Sequence, residues 1–269
     1  MLVWSRSGRA LVWALFALVF APLVLAPLAI LGIAAFAGDW NSVLPASWTS
    51  ENIREATAGT NYDSLVVSIE TALGASLIAI VVGTWAAIAA RGAPRFVRRL
   101  TDAVFHLPVA VPSVVVGLGM LVAFSDGPIL LNGTKWIVIA AHAVLVVTFA
   151  YSTVSAGLDR TDAAFAEVAA SLGASPARVL LRVRLPMLLP SITAAASLAI
   201  ALSMGEVGAT IMVYPAEWRT LPVSIFTLTD RGKVLLGSAV TVVLLVATLV
   251  VLMVVGLLKG RVEERRRRR

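Results

Sequence analysis

The sequence predicts an all-α integral membrane protein with six transmembrane helices and both termini in the cytoplasm. Three observations carry this. Six apolar runs each reach the roughly 20 residues that a helix needs to cross a hydrocarbon layer. Of the 269 residues, 59% are hydrophobic and only 14% charged. The Lys and Arg residues gather in alternate connections, as the positive-inside rule requires.

The first span is Ala10–Ala37, an uncharged stretch behind Arg6 and Arg9. It contains Pro22 and Pro27, which lipid-embedded helices tolerate, and it exceeds the 7 to 15 or so residues of a signal-peptide core. The polar segment Gly38–Tyr62 carries Asp39, Glu51 and Glu55 against Arg54, with Trp40 and Trp48 near a membrane edge, and reads as external. The second span, Asp63–Ala90, ends on Arg91, Arg95, Arg98 and Arg99, a cytoplasmic cluster. Glu70, in its outer third, reads as a boundary residue, because Thr71–Ala90 alone is long enough to span. The third span, Val104–Phe124, opens on Leu107-Pro108-Val109-Ala110-Val111-Pro112, where two prolines remove helix donors and predict a broken entry. A short turn over 126–135 leads to the fourth span, Trp136–Gly157. The fifth, Pro190–Val213, an external segment Tyr214–Gly232 and the sixth, Val234–Leu258, follow, and the chain closes on Lys259, Arg261 and Arg265–Arg269. In this arrangement 17 of the 22 Lys and Arg residues lie inside. The basic tail then reads as an anchor to an anionic inner leaflet.

Several function classes fall away. The absence of cysteine excludes disulfides and thiolate metal sites, and His106 and His142 are too far apart in sequence to suggest a ligand pair. Both read as packed, hydrogen-bonded side chains. The net charge of +7 is explained by membrane topology and does not point to nucleic acid. No internal repeat supports a secondary transporter, and no clustered intramembrane constellation supports an enzyme.

Between the fourth and fifth spans lies a patterned polar island over 158–189. From Asp162 to Leu172 the apolar residues Phe165, Val168, Ala169 and Leu172 recur at helical spacing, with Thr161 or Asp162 as cap. Gly173 stands where a left-handed terminus is wanted. Ser175 and Pro176 suit an N-cap and first helical position, so a second short helix is expected through Arg178 and Arg182, stopping before Pro186. Arg178 and Arg182 share a face, while Val179, Leu180 and Val183 form an apolar one. Ala169, Ala170 and Gly173 keep the turn slim, so that it could enter a groove on another protein or rest as an intracellular loop on its own bundle.

This island resembles the coupling motif of binding-protein-dependent ABC importer permeases: E-A-A, three residues, G, nine residues, I-x-L-P. Glu167, Ala169, Gly173, Leu185 and Pro186 match at the family's spacing, and Val168 and Val183 are small apolar exchanges. The resemblance extends over Asp63–Leu258 and implies a type I importer permease fold, with 1–269 as a single permease domain and a cytoplasmic coupling helix pair. It further implies a multi-pass protein of the bacterial inner membrane, pairing with a second, identical or homologous permease subunit. Two ATPase subunits and an extracytoplasmic solute-binding protein complete the implied assembly. Glu167, Ala169, Ala170, Gly173, Arg178, Arg182 and Pro186 would engage the ATPase. ATP and Mg belong to that partner, since Gly232-Lys233 lacks the upstream glycine and following hydroxyl of a phosphate loop. The chain itself is expected to bind no cofactor and to catalyse no reaction.

The fifth span holds Ser203-Met204-Gly205-Glu206-Val207-Gly208-Ala209-Thr210. A carboxylate placed roughly 10 Å inside a span's outer end, at about 1.5 Å per residue, costs several kcal/mol and is a functional candidate. Glu206, Gly205, Gly208 and Thr210 are therefore candidates for the translocation path or gate, a structural hydrogen-bonding role being the alternative for Glu206, and Gly205 with Ala209 forms a small-xxx-small packing pair. This stretch, with Tyr214-Pro215 and Thr220–Ile225, resembles the importer subgroup serving sulfate, molybdate, ferric iron, thiamine and phosphonate. Met212–Pro215, Ile225-Phe226 and Leu228–Gly232 are most similar to the 2-aminoethylphosphonate type. A zwitterion offers an ammonium group that Glu206 attracts. Another small solute, polyamines included, is the alternative.

Overall fold

The computed structural model of the chain describes residues 5–126, 128–162 and 164–267, with side chains to Leu257. The side chains of the basic tail lie outside this range. Among the described residues five helices are long and apolar enough to cross a membrane, and a bent helix pair brings the number to six if it is counted as one broken span. The chain folds as two units, one of 1–63 with 224–245 and one of 64–223 with 246–269.

In the first unit, α1 (Arg6–Ala35) starts at Ser5, whose hydroxyl accepts from the Gly8 amide at 3.0 Å. Only Ala34 and Ala35 of this helix are buried, and most of its leucines, with Phe16 and Phe20, face outward, as a lipid-exposed helix requires. The helix ends two residues before the Ala37 expected from sequence. Ala37–Asp39 (β1) instead pairs antiparallel with Ser47–Trp48 (β2), and the Ala37 carbonyl accepts from Asn52 Nδ2 at 2.8 Å. A short helix, α2 (Glu51–Ala56), carries an Arg54–Glu51 ion pair of 2.6 Å.

The second unit is built on α3 (Gly59–Arg91, which enters it at Ser64), α6 (Lys135–Asp159) and α9 (Leu185–Met204). Small side chains set how closely these helices approach: Ala79 and Ala87 of α3, Ala150 of α6, and Ala195 and Ala199 of α9 are buried around Tyr151, Val154 and Leu188. Without a water-driven hydrophobic force between helices in lipid, such close packing is what holds them. Among these three, α6 is the most enclosed.

The third predicted span is two helices. Arg95–Ala110 (α4) and Ser113–Ser125 (α5) meet at 105°, so the break falls at the end of the Leu107–Pro112 motif that predicts a broken entry. Pro108 is absorbed in the last turn of α4, whereas Pro112 holds Val111 extended, at φ −109° and ψ 132°. The ring of a proline clashes with a helical predecessor, and this places the corner at Val111-Pro112. The start of α4 belongs to the predicted cytoplasmic arginine cluster, and none of its side chains is buried. Beyond the corner, α5 packs on α10 (Gly208–Val213). A Cβ at Gly117 would stand 2.6 Å from the Ala209 carbonyl oxygen and 2.8 Å from its Cα, so only glycine permits this approach. The second unit also contains the helices of the polar island, α7 (Ala164–Ser171) and α8 (Pro176–Val179). The remaining helices are α11 (Leu221–Asp230) and α12 (Val234–Arg267). The first lies within the segment expected as an external connection.

Candidate functional site

The polar island forms the predicted helix, turn and helix. Asp162 caps α7 by accepting from the Ala164 amide at 3.0 Å. The turn closes through Ala174 N–H to Ala169 O at 3.1 Å and Gly173 N–H to Ala170 O at 2.9 Å. That pair of bonds is a Schellman terminus, and it requires the left-handed residue that Gly173 supplies at φ +80°. Ser175 is extended and Pro176 opens α8, as expected, although the Ser175 hydroxyl makes no capping bond.

The second helix does not stop before Pro186. Leu180–Arg184 winds as a π-helical turn and runs directly into α9, so Pro176–Met204 is one 29-residue span. A proline removes an amide donor and crowds the carbonyl four residues back. The wider turn, with Leu185 N–H bonded to Leu180 O, offsets the carbonyls just where Pro186 would collide. The predicted start of the fifth span at Pro190 is corrected accordingly.

The surface of the island is open. No residue of α7 is buried. Phe165 and Val168 are each 58% exposed and Leu172 is 83% exposed, although Phe165 also lines a small cavity with Leu158 and Leu188. Glu167, Ala170, Pro176, Val179 and Arg184 line a crevice of about 330 Å³ between α7 and the following helix. Arg178 and Arg182 are exposed, Ala169 is half-buried, and Val179 of the predicted apolar face is buried.

The predicted path residues lie at a second irregularity. The fifth span is not continuous to Val213: α9 ends at Met204, Gly205–Val207 is non-helical, and α10 begins at Gly208. Glu206 therefore sits at a helix break and not on a helix face. Its Oε1 accepts from the Ala209 amide at 2.8 Å, satisfying one of the backbone donors that a helix start leaves free. The break also separates the Gly205/Ala209 pair. Ala209 is the buried partner of Gly117, whereas Gly205 is exposed and meets only carbonyls of its own helix. Gly208 packs toward Ser113 and Val114 of α5. Thr210 is fully buried.

Glu206 is half-buried and, with Ser203, His142, Ser113, Pro108 and Val111, lines a cavity of about 200 Å³. Three structural events thus surround one small, mainly apolar space into which a few polar groups are set: the α4–α5 corner, the break in the fifth span and the enclosed wall of α6. His142 is packed and hydrogen-bonded as expected. His106 is hydrogen-bonded to the Asp102 carbonyl at 2.7 Å and to Ser152 Oγ at 3.1 Å, yet exposed. Glu70 is exposed on α3. Sequence spacing alone does not bring Ser113 and Ser203 to this cavity; for Ser113 the signal is the Val111-Pro112 dipeptide just ahead of α5.

The family described as binding-protein-dependent transport system inner membrane component matches residues 79–268. A 2-aminoethylphosphonate transport system permease protein of Salmonella paratyphi A is 46% identical over 253 residues, spanning 94% of this chain and 96% of the relative. A molybdenum transport system permease protein of Mycobacterium tuberculosis is 35% identical over 212 residues, spanning 73% of this chain and 79% of the relative. Among solved structures, a bacterial ABC transporter involved in the import of the acidic polysaccharide alginate superposes with a TM-score of 0.71 at 15% identity. That match covers 95% of this chain and 96% of the other, a likeness of fold.

Proposed function

From the premise that this chain belongs to the family of binding-protein-dependent transport system inner membrane components, we propose that it forms the import pathway for a small aminoalkylphosphonate, 2-aminoethylphosphonate being the type compound. A second permease subunit supplies the other wall of that pathway. An extracytoplasmic binding protein delivers the solute, and two ATPase subunits beneath the membrane bind the ATP and Mg that drive each cycle. The identity to the Salmonella permease supports the substrate class. The open α7–α8 pair, with its exposed Phe165, Val168 and Leu172, supports docking on the ATPase in the manner of a helix in a groove.

The observation that carries the substrate reading is the carboxylate of Glu206 at the wall of a cavity. At about 4 Å and an effective dielectric of about 20, an ammonium group gains on the order of 4 kcal/mol beside a carboxylate, and an oxyanion loses as much. A zwitterion can present its amine there; molybdate, sulfate or phosphate has nothing to present. Closure of the ATPase pair draws the two islands together, and because the island is continuous with α9, the motion reaches the break that carries Glu206.

The test is uptake into proteoliposomes holding the full complex, with 2-aminoethylphosphonate and molybdate offered separately. Glu206→Gln should lower aminoethylphosphonate uptake about tenfold or more at unchanged assembly, as expected for loss of a charge-assisted contact. Uptake of molybdate but not of the aminophosphonate by the wild-type complex would overturn the substrate assignment.

A further inference from the structure

One buried imidazole spans the break. His142 is 1% exposed, with Nδ1 2.7 Å from Ser203 Oγ and Nε2 2.7 Å from Thr210 Oγ1. Ser203, 3% exposed, belongs to the last turn of α9, and Thr210, fully buried, to the first turn of α10. The three non-helical residues Gly205–Val207 lie between them. A ring anchored on a third helix therefore holds both ends of the interruption.

The direction of the bonds follows from the protons available. The Thr210 hydroxyl donates to the Glu206 carbonyl at 3.3 Å, which leaves its oxygen to accept. The ring proton then belongs on Nε2, and Nδ1 accepts from the Ser203 hydroxyl. One chain of donors runs from Ser203 through His142 and Thr210 to the backbone of Glu206. The side chain of Glu206 is tied to the same short helix through its bond from the Ala209 amide. Both ends of this residue are thus fixed to α10, and α10 is fixed to α9 by His142.

We propose that His142 is a positioning residue for transport, a clamp that sets α9 against α10 so that the Glu206 carboxylate stays at the cavity wall. The clamp's consequence for uptake rests on the reading of Glu206 as a substrate contact; its mechanical part does not. Leucine at position 142 would fill the space while removing both bonds. Glutamine, whose amide donates one bond and accepts another, would keep them.

The chain has no cysteine, so spin labels can be placed cleanly. Labels on Leu198→Cys and Met212→Cys, on either side of the break, report its geometry by pulsed dipolar spectroscopy in the assembled complex. The expected result is one narrow distance in the wild type and in His142→Gln, and a broadened or shifted one in His142→Leu. Fold stability by itself does not move that readout. Aminoethylphosphonate uptake per assembled complex should fall about tenfold in His142→Leu and stay within about threefold in His142→Gln, as expected for two bonds lost or kept. Ser203→Ala with Thr210→Val should reproduce the loss and add little to it in combination. If His142→Leu fails to assemble, Thr210→Val alone gives the same distance test.

An unchanged narrow distance in assembled His142→Leu, or in Thr210→Val where His142→Leu does not assemble, overturns the clamp. So does a loss from the Ser203/Thr210 pair that simply adds to that of His142. Glu206→Gln separates the two readings: unchanged uptake there, together with a broadened distance in His142→Leu, removes the substrate role of Glu206 and leaves the clamp standing.

Discussion

Tyr151 donates its phenolic proton to the carboxylate of Asp102, joining the most enclosed of the long helices, α6, to the amphipathic α4. The junction is reinforced on both sides. Thr148 Oγ1 donates to the Phe105 carbonyl at 2.6 Å, and the Phe105 ring stacks on Tyr151 at 4.7 Å between centroids. Since α6 runs into the polar island and α4 leads through its corner into α5, this contact connects the cytoplasmic surface to the cavity wall by packed elements. Tyr151→Phe keeps the stack and removes the donor. Thermal unfolding of the purified protein should show a loss of about 1.5 to 3 kcal/mol, the usual range for a hydrogen bond to a charged group, and Asp102→Asn a smaller one. Wild-type stability in both variants would mean that the stack alone holds α4.

The approach of α5 to α10 should be intolerant of a single carbon. Gly117→Ala places a methyl against the Ala209 backbone, which has no side-chain rotamer with which to yield. Overpacking of this kind costs about 1 to 3 kcal/mol. Gly119, on the same helix with nothing within 4 Å of its would-be Cβ, is the control: its alanine variant should be neutral or slightly stabilising. Equal stability changes at the two positions would remove close packing as the reason for Gly117.

At the polar island the expectation is reversed, because Leu172, just past the end of α7, is 83% exposed. Leu172→Asp should leave the unfolding midpoint of the isolated subunit unchanged while reducing ATPase recovered with it on purification. Gly173→Val should lower the midpoint as well as the ATPase recovered, since a β-branched residue forced left-handed costs at least about 1 to 2 kcal/mol. A Leu172→Asp subunit that retains the ATPase at wild-type yield would show that this exposed surface is not the docking face.

Much of this was legible in the residues. The spans follow from uninterrupted apolar length, and the island's turn from a single glycine followed by Ser175-Pro176. What escaped were the places where backbone hydrogen bonding departs from the regular helix. Pro186 signals a stop in water-soluble logic, yet a π-helical turn absorbs it. Pro108 and Pro112 look equivalent in sequence, and only the second makes a corner. At Gly205-Glu206-Val207 no proline marks the break, and the side-chain bonds that bridge it come from His142, some sixty residues upstream in the chain. Local spacing cannot register partners at that separation.

The π-helical turn has a rotational consequence. Each residue of an α-helix advances the azimuth by about 100°, so the winding over Leu180–Arg184 fixes which way Arg178 and Arg182 point relative to the far end of the same rod. That rod, 29 residues long, reaches about 44 Å at 1.5 Å per residue. Deleting one residue from the turn would restore regular winding and swing the arginine face by more than a quarter of a circle, without altering a single side chain at either end. The bulge is thus a phase setting, fixing the direction of Arg178 relative to the end of α9 at Met204.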